Sequence, residues 1–165
     1  MPDNGKHLEI AAECWRDGKP LEAGRLIFES LPSADRPKWA ARILKLVLEK
    51  SGVERSHFLQ TLHDAEHPRL WADGHRASDT LGRSAWQLVE FGKTHEFTDE
   101  QKLFGQLLFL AKLVARVTYN AADPPDPFDE DNGWNVAKAL RYFVEYWNDD
   151  QFSNAAWSAL CFRNT

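Results

Sequence analysis

The sequence predicts an all-α protein, folded as a single-domain irregular bundle of about seven helices around one central buried helix. Apolar residues recur with the 3.6-residue period of helices rather than with the alternation of strands. Proline, glycine and capping residues divide the chain into segments of helical length. A length of 165 residues with 43% hydrophobic residues suits one core, so residues 1–165 are expected to form a single helical domain.

Two helices are expected at the start of the chain, over residues 6–16 and 20–31. Pro20 opens the second of them at the first helical position, where its missing N–H costs nothing. Gly18 separates the two segments, which together form a predicted helical hairpin.

This hairpin, residues 5–37, resembles one tetratricopeptide repeat. Five residues repeat the spacing of the small, aromatic and apolar positions of that repeat: Leu8, Ala12, Trp15, Gly24 and Phe28. Pro37 arrives one residue late, and the next period would place Arg42 and Lys45 at apolar positions. The resemblance therefore covers a single helical hairpin and implies protein or peptide binding.

Three helices are expected in the middle of the chain. The first of them is capped by Asp35 and ends before Gly52. A shorter helix is expected near residues 54–63, and a long helical segment over residues 69–91, which Gly92 terminates.

The helix from Thr98 to Asn120 is expected to be the central one. Thr98 and Gln101 match a capping box, in which each side chain binds a backbone amide of the other residue. Two apolar rows make this helix apolar over most of its circumference. One row contains Leu103, Leu107, Leu110, Val114 and Val117, and the other Phe104, Leu108, Ala111 and Ala115.

Two last helices are expected over residues 134–149 and 150–161. On a helical wheel, the core face of the first includes Phe143 and Tyr146, whereas Trp134 and Tyr142 fall among its polar positions. Exposed aromatic side chains beside charge are typical of an interaction hot spot. Trp134 and Tyr142 are therefore candidate partner-binding residues.

An acidic, proline-rich loop over residues 121–132 precedes this helix and contains Asp126, Asp129 and Asp131. An EF-hand is excluded, because setting Asp129 as its first position places Leu140 where calcium requires a glutamate. We interpret the loop as an extended spacer whose acids favour the N-terminus of the next helix. A partner-binding acidic patch and an irregular metal site are the alternatives.

The histidines between His57 and His75 predict the alternative function, a small helical enzyme. His63 and His67 belong to an H-x-x-E-H stretch, the pattern of inverted zinc peptidases, and His57 could add a ligand. Arg69 and His75 resemble the R-x(4-6)-H pattern of the HEPN ribonucleases, and that resemblance implies RNA cleavage by these two residues. The alternative is thus a metal-dependent hydrolase or an HEPN-like ribonuclease.

Charge and composition narrow the expected partners. A net charge of −5 disfavours a general nucleic-acid binder. Neither a signal peptide nor an apolar run of membrane-spanning length is found, so a cytoplasmic location without membrane contact is expected. Cys14 and Cys161 are expected to be reduced and buried.

The third helix carries a basic stripe of Lys38, Arg42 and Lys45. This stripe is either a solvated face or a docking surface for an acidic partner, and patches of opposite charge would also permit a homo-oligomer. Because the chain carries neither a complete catalytic motif nor a cofactor motif, we predict a non-enzymatic protein-interaction or adaptor module without cofactors.

Overall fold

A computed structural model describes residues 4–67, 74–122 and 131–162 of the chain. These residues form eight α-helices and one short 3-10 helix, Ser33–Asp35, and they contain no strand. The helices are α1 (Asn4–Arg16), α2 (Pro20–Glu29), α3 (Arg36–Ser51), α4 (Leu59–Glu66), α5 (Gly74–Gly92), α6 (Asp99–Ala122), α7 (Asp131–Trp147) and α8 (Asp150–Cys161). The predicted all-α fold class is therefore confirmed.

Helix α6 is the longest described helix and packs against α3, α4, α5 and α7. The predicted capping box starts it, because the Thr98 N–H donates to Gln101 Oε1 at 2.9 Å and the Gln101 N–H donates to Thr98 Oγ1 at 3.2 Å. Most residues of the two predicted apolar rows are buried from Leu107 to Val117. The central position predicted for this helix is confirmed.

Helix α3 is the second core helix, and α8 closes over it. Buried Trp39 of α3 donates its ring N–H to the Leu160 carbonyl oxygen at 2.9 Å, which satisfies a polar atom inside the core. Lys50, at the other end of α3, donates to Asp149 at 2.7 Å, just before α8 begins. Helix α8 is thereby held to α3 at both ends.

Two predicted helix ends in this part of the chain are corrected. Asp35 does not cap α3, since it lies in the 3-10 helix and its side chain makes no capping hydrogen bond. The helix predicted near residues 54–63 begins later, at Leu59, because the chain turns from Ser56 to Phe58 and the Glu54 side chain accepts hydrogen bonds from Ser56. The end of α3 is as predicted, with Gly52 in the left-handed conformation at φ 66°.

The cap of α8 gives a testable pH dependence. Asp149 accepts hydrogen bonds from the Lys50 ammonium and from the Phe152 and Gln151 backbone amides, and these bonds lower the pKa of Asp149. Because its folded-state pKa lies below its unfolded value, this charge stabilises the fold above pH about 4, and that stabilisation is lost as the pH falls through the folded-state pKa. We expect Asp149→Asn, which keeps a capping oxygen without the charge, to flatten the decline of the melting temperature in acid.

The control for this experiment is Asp150→Asn, which removes an exposed carboxylate one residue further along α8. The Asp150 side chain makes none of the hydrogen bonds that hold Asp149. Thermal melts of both variants across the acidic range should therefore separate them. Identical profiles for the two variants would contradict the assignment of the acid-sensitive stabilisation to Asp149.

Candidate functional site

The candidate site is a groove on the surface of α6, opening between α5 and α7. We call it the α6 groove and define it by Ala85, Leu88 and Val89 of α5, Lys102, Gly105 and Gln106 of α6, and Tyr142 of α7. It encloses about 340 Å³. Gly105 lets the α5 wall pack closely on the floor, because a Cβ atom at that position would lie 3.1 Å from Cδ2 of Leu88. The α5 residues form an aliphatic wall of the groove, and Tyr142 forms an aromatic wall opposite them.

Large apolar side chains remain exposed in and around this groove. Five of them have between 39% and 61% of their surface exposed, and they come from all three helices: Trp86, Val89, Phe109, Tyr142 and Tyr146. Tyr142 and Tyr146, one turn apart on α7, stack with ring centroids 6.1 Å apart. Exposed large apolar residues are unremarkable singly, but a contiguous set marks an interaction surface.

Phe109 lies on the same exposed stripe of α6 as the groove floor. At ~100° per residue, positions 102, 105, 109, 112 and 116 fall within a narrow arc of this helix. Lys102 and Phe109 are exposed, and Gly105 and Lys112 are half-buried. Phe109 therefore lies one turn beyond Gly105 on the stripe of α6 that forms the groove floor.

Lys102 lines the groove, and two further lysines lie beside it on α6 and α7. Lys102 and Lys112 lie on the exposed stripe of α6, and Lys138 lies one turn before Tyr142 on the exposed face of α7. In the part of the chain that the structure describes, none of these three lysines forms an ion pair. The nearby carboxylates are already engaged, because Glu145 pairs with Arg141 at 3.2 Å and Glu90 pairs with Lys93 at 2.8 Å.

Of the two aromatic residues predicted to bind a partner, Tyr142 is exposed as expected, whereas Trp134 is not, and the binding role of both stays a prediction. Trp134 is half-buried and packs against the core, with the Arg25 guanidinium 5.8 Å from its ring. Helix α2 accounts for this burial. It packs closely on α7 at Gly24, where a Cβ atom would lie only 3.0 Å from the Trp134 carbonyl oxygen. Helix α2 thus covers the first turns of α7, and the exposed aromatic surface begins further along that helix.

The predicted basic stripe of α3 is partly engaged within the chain. Lys45 forms an ion pair with Glu66 of α4. The Arg42 guanidinium lies 3.4 Å from the ring centroid of Phe162, and burial lowers the pKa of Arg42. Lys38 is half-buried. This surface is therefore less available to an acidic partner than the sequence suggested.

Two of the candidate metal ligands lie side by side at the end of α4, His63 within the helix and His67 just after it. The rings of His63 and His67 stack with centroids 4.2 Å apart, and Nδ1 of His67 lies 2.7 Å from the His63 carbonyl oxygen. Glu66, the carboxylate of the H-x-x-E-H pattern, is paired with Lys45. The ring of His57 instead packs edge-on against the ring of Phe104, and the two ring centroids are 5.3 Å apart.

Within residues 4–67, 74–122 and 131–162, no group of three or more His, Cys, Asp or Glu side chains could hold a metal ion. Arg69 lies outside the described residues, and His75 belongs to α5 but its side chain is not described. The enzymatic alternative therefore stays a prediction from the sequence.

The acidic loop falls mainly in the undescribed residues. Asp126 and Asp129 lie outside the described ranges, and Asp131 is the first residue of α7, with an undescribed side chain. The proposed roles of these three aspartates as cap, partner site or metal site consequently stay predictions.

A second cavity of about 420 Å³ lies between the end of α3 and the start of α6. Glu54 and Glu100 line it together with apolar side chains that include Val53, Leu103 and Phe104. Glu54 accepts hydrogen bonds from the Ser56 hydroxyl and backbone N–H, which lower the pKa of Glu54. Leu103 and Phe104 are half-buried against the core, whereas the α6 groove is lined by the exposed apolar side chains Val89 and Tyr142.

No protein-family model, curated protein or solved structure matches the chain. Helices α1 and α2, which contain the residues that resemble a tetratricopeptide repeat, pack against each other, and the resemblance itself stays a prediction. In the described ranges, no helix has the length and apolar character needed to cross a membrane.

Sequence reasoning missed most of the groove. Tyr142 was found on the helical wheel, but Trp86, Val89 and Phe109 were not recognised as surface residues. A signal for Phe109 exists in the sequence, because Lys102, Lys112 and Arg116 share its stripe of α6. Three cations on one stripe indicate the exposed face of a helix, and an aromatic residue among them indicates a candidate contact.

Proposed function

We propose that this protein is a non-enzymatic interaction module, an adaptor or scaffold, that binds a protein partner through the α6 groove. The observation that supports this proposal best is that exposed Val89 of α5 and exposed Tyr142 of α7 line one groove, with exposed Phe109 on the α6 stripe that forms its floor. Burying such side chains against a partner removes apolar surface from water, which is the main favourable contribution to most protein association. Tyrosine and tryptophan are also the residue types enriched at interface hot spots.

The polar character of the groove supports a protein partner. At its edges lie the Tyr142 hydroxyl group and Lys102, which forms no ion pair within the described residues, while its walls are aliphatic and aromatic. An apolar centre with a polar, charged edge is the usual composition of a protein interface. The resemblance of residues 5–37 to a tetratricopeptide repeat is a second, independent reason to expect protein binding.

Partner capture tests this proposal. We expect Phe109→Ala and Tyr142→Ala each to reduce capture by roughly fivefold or more, since truncation of an interface hot spot costs more than about 1 kcal/mol. Both side chains are at least 39% exposed, so the melting temperature should change little. The measurement uses the intact protein as bait in a lysate of its native host, with captured proteins quantified by mass spectrometry.

The matched control is Leu59→Ala, which truncates an exposed apolar side chain on α4, outside both the α6 groove and residues 5–37. Proteins that bind the groove should be captured by the wild type and by this control but lost from the two groove variants. If the same proteins are captured by all four baits, the α6 groove is not the binding surface and the proposal fails.

A further inference from the structure

We infer that the partner segment in the α6 groove is an amphipathic α-helix whose apolar stripe is flanked by carboxylates. This inference rests on the proposed function, because it names the chemistry of the partner that the groove binds. Three features of the groove carry it: its shape, the spacing of its apolar side chains and its charge.

The shape of the groove suits a helix. Its floor is one helix, α6, and its walls are two others, α5 and α7, which both pack against α6. Packed helices lie about 8–10 Å apart, so a helix seated over α6 would contact both walls. At Gly105 the floor packs directly against the α5 wall, since a Cβ atom there would lie 3.1 Å from Cδ2 of Leu88.

The apolar side chains are placed to contact successive turns of a bound helix. Phe109 lies one turn along α6 from Gly105, and Tyr142 and Tyr146 lie one turn apart on α7. Val89 lines the groove together with Tyr142, from the α5 wall. A helix bound in such a groove presents apolar residues at positions i, i+3 or i+4, and i+7, which fit pockets spaced by one turn.

The charge of the groove selects among amphipathic helices. Lys102 and Lys112 lie along the floor stripe and Lys138 on the α7 side, and none of them has an ion-pair partner among the described residues. A helix with lysine flanks would place like charges together, whereas a helix with glutamate flanks would pair with these lysines. The groove is thus positive on a chain whose net charge is −5.

Two synthetic peptides test this inference. Both are amphipathic helices of about 18 residues, or roughly five turns, with the same leucine and phenylalanine stripe. One carries glutamate on both flanks and the other lysine. Each is labelled with fluorescein and titrated with the full-length protein, and binding is followed by fluorescence anisotropy.

We expect the glutamate peptide to bind at least about tenfold more tightly than the lysine peptide at low salt, and the difference to shrink as salt screens the charges. The double substitution Lys102→Glu/Lys112→Glu should reverse this preference. Its control is Lys6→Glu/Lys19→Glu, which changes the net charge equally but on exposed lysines of the α1 region. That control should retain the wild-type preference.

The outcomes separate the partner chemistry from the proposed function. If Tyr142→Ala weakens binding of both peptides but charge reversal leaves their ranking unchanged, the groove binds a partner and the acidic-helix inference is overturned. If Tyr142→Ala leaves peptide binding unaffected, the peptides bind outside the groove and the inference is overturned, while the capture experiment still decides the proposed function. Equal binding of the two peptides, binding of neither, or a groove closed by a second copy in sedimentation experiments would each overturn the inference.

Discussion

Replacing Leu107 or Leu110 by alanine is expected to lower the free energy of unfolding by about 2 to 5 kcal/mol. Both side chains are fully buried on α6, which packs against four other helices. Truncation removes apolar surface from the core and leaves a cavity that the surrounding helices cannot fully close. Chemical denaturation of each variant, followed by far-ultraviolet circular dichroism, measures the change.

The matched control is Leu59→Ala, which makes the same chemical change at an exposed position of α4. Since that side chain keeps much of its contact with water in the folded state, the loss of stability should stay within about 0.5 to 1 kcal/mol. Losses below about 1 kcal/mol for both α6 variants would show that this helix is peripheral, contrary to its position in the structure.

The fold class could be predicted because helices and their buried faces show in the sequence as capping residues and as apolar residues with a helical period. The two apolar rows from Leu103 to Val117 can only be buried if α6 has neighbours on several sides. The Thr98 and Gln101 pair marks the start of that helix, and Gly52 marks the end of α3. Both helix ends depend on contacts within about one turn of the chain, so the sequence of that turn is enough to predict them.

The burial predicted for residues of α7 was wrong where contacts with segments far away in the chain determine which side chains are buried. A helical wheel of α7 shows which face is apolar, but not which helix covers its flank. Helix α2 covers the flank that contains Ala137 and Trp134, so Trp134 becomes half-buried. The buried arc of α7 is thereby shifted, and Tyr146, which was expected on the core face, is 48% exposed.

The candidate site was found only in part for the same reason. Tyr142 is exposed by the pattern of its own helix, so the sequence was sufficient for that residue. A groove exists only where three helices meet, and the meeting of α5, α6 and α7 is fixed by packing between segments far apart in the chain. Val89 illustrates the difficulty, since an aliphatic residue in an amphipathic helix is normally assigned to the core.

Replacing Gly24 by alanine is expected to lower the free energy of unfolding by about 1 to 3 kcal/mol, although alanine is the better helix former by about 1 kcal/mol. Gly24 is buried where α2 packs against α7. An added Cβ atom would lie 2.6 Å from the Ala137 Cβ atom and 3.0 Å from the Trp134 carbonyl oxygen. Because neither atom belongs to the end of a flexible side chain, the two helices must separate to admit the methyl group, and packing along their contact is lost.

Gly82→Ala is the matched control, because Gly82 lies inside α5 and an added Cβ atom would meet nothing within 4 Å. There the helix-forming preference of alanine acts alone, so the free energy of unfolding should rise by about 0.5 to 1 kcal/mol. The same substitution in two helices is therefore expected to change stability in opposite directions, as measured by chemical denaturation. If Gly24→Ala also stabilises the protein, α2 and α7 are not in close contact at this position, and the explanation for the burial of Trp134 must be abandoned.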